Sequence, residues 1–146
     1  MRITLFLMLS ALLWFAGSAF FLPEKGTLQV ELSNVKTAQG NVWIAVYDSA
    51  ENFLVEEKAY VTGFKVQKTG TLLAQIPDLD FGDYAFAVFH DLNGNKQLDL
   101  NFLGIPAEPF AFSKKPVSRF RPPRFDEVKF VFKNSDQIVQ AKLSMW

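Results

Sequence analysis

The sequence contains no cysteine. That absence removes disulfide staples, a thiol nucleophile and thiolate metal sites. It also removes the lipid-modified N-terminal cysteine that would tether an exported chain, so a soluble mature protein is expected. Histidine is nearly absent: His90 is the single one in 146 residues. A Ser-His-Asp arrangement would have to use that one side chain. Net charge is lacking too, because 15 Lys and Arg balance 15 Asp and Glu. A general nucleic-acid binder is usually basic, so nucleic acid is not an expected partner. Helical patterning is scarce. Only "SAENFLVEEK" suggests it, with Ser49 as a cap and Asn52 where a capping box prefers Glu or Gln. It reads as a short turn of helix or a loop, and no internal repeat is visible.

What is present is a folding composition, 49% hydrophobic and 21% charged. The chain opens "MRITLFLMLSALLWFAGSAFF": Arg2, then an apolar run from Ile3 to Phe15, then Ala16, Gly17, Ser18 and Ala19. Charge, short apolar run and small residues in that order describe a secretory signal peptide over residues 1–19, cleaved after Ser18 or Ala19. The alternative is an uncleaved anchor, but the run is short for a span of about 20 residues. Export to the periplasm or the medium is the expected location, and residues 25–146 are expected to form one domain.

From there the pattern alternates. Leu28, Val30 and Leu32 share one face of "GTLQVELSNV". "NVWIAVYDS" and "GDYAFAVFH" are apolar on both faces, which places them centrally in a sheet. "AYVTGFKVQK" and "GTLLAQIPDL" flank a turn at Thr69-Gly70, "EVKFVFK" aligns Val128, Phe130 and Phe132, and "QIVQAKL" completes the set. About seven strands in this spacing predict an all-β fold, an antiparallel sandwich of immunoglobulin-like or transthyretin-like kind. One long irregular region runs from Asp91 to about Asp126; such stretches are usually functional or ligand-stabilised.

That region begins "HDLNGNKQLD". Side-chain oxygens recur at Asp91, Asn93, Asn95, Gln97 and Asp99, with Gly94 where the backbone must bend. Hard cations take six to eight oxygens, so this spacing points to calcium. It is not an EF-hand, because Lys96 stands where the loop glycine belongs and Phe102 where the bidentate Glu belongs. Further ligands would come from Glu108, Asn101, Asp83 or His90, and affinity would be weak, of order 10⁻⁴ M. An Asx-rich turn without an ion is the other reading. An envelope enzyme using Asp91, Asp99, Glu108 or His90 is the rival class. Further on, Lys114, Lys115, Arg119, Arg121 and Arg124 are interleaved with Phe in "FAFSKKPVSRFRPPRF". This segment suits an anionic envelope surface, or else is a solvated loop over packed phenylalanines.

The stretch "GDYAFAVFHDLNGNKQLDLNFLGIPAEPFAFS", with "PPRF" and "VKFVF" beyond it, resembles a family of exported bacterial proteins catalogued as domain of unknown function 2141. The resemblance rests on Gly82, Tyr84, Ala85, His90, Asp91, Asn93 and Asn95, then Leu98, Asp99, Gly104, Pro106, Glu108, Phe112 and Ser113. Pro109 and Ala111 depart from the family pattern. The resemblance implies a secreted β-sandwich and assigns no reaction. The expectation is an exported binding or structural module for an envelope or extracellular ligand, stabilised by weak calcium at residues 91–99. Oligomeric state is not legible.

Overall fold

The computed structural model describes residues 25–118 and 120–145. The expected signal peptide 1–19 lies outside the described residues, as does Arg119. Among the described residues no helix is long and apolar enough to cross a membrane.

The alternating segments become strands: β1 (Lys25–Val35), β2 (Asn41–Tyr47), β3 (Tyr60–Lys65), β4 (Gly70–Asp80) and β5 (Gly82–Asp91). Three shorter ones follow, β6 (Phe110–Phe112), β7 (Phe130–Phe132) and β8 (Ile138–Lys142). They build two sheets, one ordered β4-β1-β8 and the other β3-β2-β5-β6, with β7 also pairing β5. The fold is an all-β sandwich. The two segments that are apolar on both faces, β2 and β5, are the neighbours at the centre of the larger sheet.

Side-chain alternation fills the space between the sheets. Leu28, Val30 and Leu32 of β1 meet Val42, Ile44 and Val46 of β2, with Phe86 and Val88 of β5 and Phe132 of β7 closing the core. Phe86 and Phe132 are fully buried, and burying a side chain of that size stabilises by roughly 1.5–3 kcal/mol.

Among the described residues there are eight strands, in keeping with about seven, the short β6 forming inside the region that reads as irregular. Two local expectations are corrected. One pairing is parallel, since β8 runs alongside β1 in the same direction. Val128 does not continue a strand; it ends a one-turn helix, α1 (Phe125–Val128). Pro122 and Pro123 stop strand formation just ahead of it, and Glu127 accepts the Arg124 N–H, which starts the turn. The Ser49–Lys58 segment, read as a short turn of helix or a loop, holds turns and a three-residue 3-10 helix, Glu56–Lys58.

The larger sheet is apolar on its outer face as well, and only part of that face is covered. Phe125 and Val128 from α1, together with Phe53, pack on Ala85 and Phe112. Phe53 is the hub: its ring centroid lies 5.4 Å from Tyr47, 5.9 Å from Phe125 and 6.5 Å from Phe112.

Candidate functional site

Asp91 ends β5 with its side chain fully buried. Its Oδ1 accepts the Gly94 N–H at 2.6 Å. Its Oδ2 accepts the Lys96 N–H at 2.9 Å and the Trp43 indole Nε1–H at 3.1 Å. Burial alone would raise its pKa, but these donors and the Asn95 amide outweigh burial, so the carboxyl is held below the usual carboxylate range. The chain must turn sharply to deliver those amides. Gly94 adopts φ 81° and Lys96 φ 66°, a left-handed conformation that costs a non-glycine residue.

The rest of the loop folds onto itself. Asn93 Oδ1 accepts the Asn95 N–H and Asn95 Oδ1 accepts the Gln97 N–H, two successive Asx turns. Both Asn side chains turn their amide N–H groups to Asp99, Asn93 at 2.6 Å and Asn95 at 2.9 Å. Glu108, buried, receives the Leu92 N–H at 2.8 Å and the Asp99 N–H at 3.4 Å, tying together the two ends of the loop. His90, also buried, donates Nε2–H to the Gln39 carbonyl at 2.7 Å. Ser113 Oγ accepts the Phe86 N–H and donates to the Val128 carbonyl, fastening α1 to β5.

His90, Asp91, Glu108 and Ser113 are the buried polar residues among those described, and all four belong to the motif that carries the family resemblance. Each is engaged with backbone groups, which is what burial of a polar side chain requires. No buried side-chain nitrogen or oxygen among the described residues is left without a partner.

For calcium, the arrangement gathers Asn93, Asn95 and Asp99 at one exposed point and turns Asp91 away from it. The Asn oxygens close turns while their N–H groups face Asp99, so the five side chains do not present a ring of oxygens as they stand. Among the described residues no group of three His, Cys, Asp or Glu is placed to hold a metal. The auxiliary candidates lie elsewhere: Asn101 Oδ1 accepts the Leu103 and Ile105 N–H groups, and Asp83 pairs with Lys129 at 3.2 Å. In the basic segment Lys114, Lys115 and Arg124 are exposed. Arg121 forms a two-pronged ion pair with Glu127, at 2.6 and 3.0 Å. The Arg121 hydrogen bonds come first among the causes that hold Glu127 down to about 2.

The reach of Asp91 to Trp43 leads to a site that reading the loop alone misses. A groove of about 640 Å³ lies on the uncovered part of the larger sheet's outer face, within the size range of ligand pockets. Trp43, Ala45 and Tyr47 of β2 and Ala87 and Phe89 of β5 line its floor. Its rim is Lys96, Gln97 and Leu98 from the loop on one side and Glu56 and Val61 on the other. Gly63 pairs with Trp43 across β2 and β3, and a Cβ there would run into Cε3, Cζ3 and Cδ2 of the indole. The ring therefore rests on the Gly63 backbone, with its Nε1 held by Asp91. Two features of the sequence bear on this site without marking it as one: apolar residues on the second face of two central strands, and a lone glycine inside a strand.

Fold and site together define an all-β sandwich whose long connection is pinned by buried polar side chains beside an aromatic groove. Its family model is described as uncharacterized protein conserved in bacteria (DUF2141) and matches residues 30–140. The chain belongs to that family. No curated protein and no solved structure matches it.

Proposed function

We propose that the chain is an exported binding module that holds its ligand in the groove over Ala45 and Ala87. The observation that carries this reading is an apolar sheet face half covered by Phe53, Phe112 and Phe125 and half open, with Trp43 fixed at the open end. A sandwich needs one apolar face per sheet, and a second one left open favours binding. The loop 91–99 serves as support: Asp91 and Glu108 set its path, and its far side forms the rim. Export rests on Arg2, the apolar run and the small residues of the N-terminal segment. A ligand bound only by the folded state raises the melting temperature. Soluble envelope fractions should include one that stabilises the chain but loses that effect with Phe89→Ala and Gln97→Ala. Equal stabilisation of wild type and groove variants, or stabilisation by no fraction, overturns the assignment.

Calcium enters the proposal as a weak additional stabiliser, held by Asp99 with Asn93, Asn95 and Gln97. Three of these already converge at an exposed point, which supports it; coordination would require the two Asn amides to turn their oxygens toward the ion. Contact with an anionic envelope surface is a second reading. What favours it is that Val117 and Phe120, 81% and 98% exposed, follow Lys114 and Lys115 within six residues of the chain. If that reading holds, retention on anionic vesicles should fall with added salt and with Lys114→Ser plus Lys115→Ser. Retention unchanged by either would leave a solvated loop.

A further inference from the structure

We propose that the groove takes a neutral saccharide, with a pyranose ring laid on Trp43 and its hydroxyls met by Glu56, Lys96 and Gln97. This rests on the groove reading above and names its ligand class. The Trp43 indole is set in place by its surroundings. One ring face sits on Gly63 and Nε1 is tied to Asp91, so the ring plane is set before any ligand arrives. A fixed platform loses little rotamer freedom on binding. The outward π-face is electron-rich, and it attracts the polarised C–H groups that cover one side of a pyranose ring.

The groove has the shape for a ring. Ala45 and Ala87 face each other across β2 and β5, and so do Trp43 and Phe89. The small pair makes a shallow slot bounded by the Trp43–Phe89 pair at one end and Tyr47 at the other. Trp43 and Tyr47 are four residues apart on one strand, roughly 13 Å. A flat ring lies in such a slot, whereas a bulky or spherical group meets the floor too soon.

The polar groups of the rim suit an uncharged ligand. The rim carries one carboxylate, one ammonium and one amide. An anionic ligand would meet Glu56 and a cationic one Lys96. A wholly apolar ligand would cover both charges without offering them partners, which is costly. A neutral polyol presents donors to Glu56 and acceptors to Lys96, while Gln97 takes either. Tyr47 adds a donor: burial first, then the charge of Glu56, raises its pKa, keeping the hydroxyl protonated at neutral pH.

The test is a titration of the ¹⁵N-labelled chain with neutral hexasaccharides of glucose and of N-acetylglucosamine. A hexamer of glucuronic acid and the neutral apolar dye N-phenyl-1-naphthylamine run in parallel. At least one neutral sugar should shift the Trp43 indole N–H with a Kd at or below about 1 mM. Trp43→Ala should weaken it about tenfold or more, the cost of truncating a central contact. Because Trp43 also braces Asp91, Glu56→Gln and Gln97→Ala, at exposed positions, provide the second arm; each should weaken binding about threefold with the melting temperature unchanged. Gln140→Ala, on the other sheet, should leave affinity intact. If the dye or the acidic hexamer shifts Trp43 and no neutral sugar does, the saccharide assignment fails and the groove reading stands. If no probe shifts Trp43, both fail.

Discussion

Asp91 joins the loop to the groove, because the same carboxylate that receives two turn amides also holds the Trp43 indole. Asp91→Asn puts an N–H group against existing donors. It should cost on the order of 2 kcal/mol and free the indole. The pH dependence has a definite sign. A carboxyl whose folded pKa lies below its unfolded value of about 3.9 contributes stability above that value and loses it as pH falls through the folded pKa. Melting curves from neutral to strongly acidic pH should show this acid-labile share in wild type and its loss in Asp91→Asn. An acid limb identical in the two proteins would remove Asp91 from that role. Lys96 is the complementary case. Its left-handed backbone directs an N–H onto Asp91 and carries its side chain to the groove rim. Lys96→Gly should relieve about 1 kcal/mol of strain and raise the melting temperature while weakening ligand binding. A variant that is less stable, or that binds equally well, would contradict this coupling.

Among the elements, β2 and β5 determine the architecture, and β3 sets the groove through one residue. Gly63→Val places a branched side chain where the Trp43 ring lies. It should destabilise by roughly 1–3 kcal/mol and shift tryptophan emission to the red as the indole leaves the sheet. Unchanged emission would mean that the ring does not rest there. Ser113→Ala leaves the Phe86 N–H without its acceptor, at a cost of roughly 1–3 kcal/mol. It should also loosen α1 enough for faster trypsin cleavage after Lys114; equal cleavage rates would contradict the fastening role. The strands were legible wherever alternation runs for five residues or more, and the two-faced apolar pattern of β2 and β5 located the sheet centre. β6 was not, because three residues carry no readable period and its place is set by pairing with β5. The loop oxygens were legible as a set but not in direction. Alternation places side chains on a strand, whereas Asx turns and a left-handed Lys96 place them here, and they turn Asp91 inward. Trp43 is not legible as a site residue in the sequence, because its role depends on Gly63 and Asp91, each 20 or more positions away.

For the whole molecule, the sandwich core and the pinned loop should fold without an ion, and calcium should add to that stability. A site of ~0.1 mM dissociation constant at ~1 mM calcium contributes about 1.4 kcal/mol, a shift of several degrees in melting temperature. Asp99→Ala should remove that shift and Asp48→Ala should not, while magnesium should do much less. A melting temperature unmoved by calcium after chelation makes the loop an Asn-Gly turn and leaves the groove untouched. Sequencing the mature N-terminus should find it near Ala19 or Phe20; intact Met1 in a membrane fraction would favour an anchor. The binding proposal itself is tested most directly by mapping chemical-shift changes over the ¹⁵N-labelled chain as envelope fractions are added. The changes should cluster on the Trp43 indole, Ala87, Phe89 and Lys96 to Leu98. Changes confined to residues 114–124, or to the outer sheet face formed by β4, β1 and β8, would contradict it.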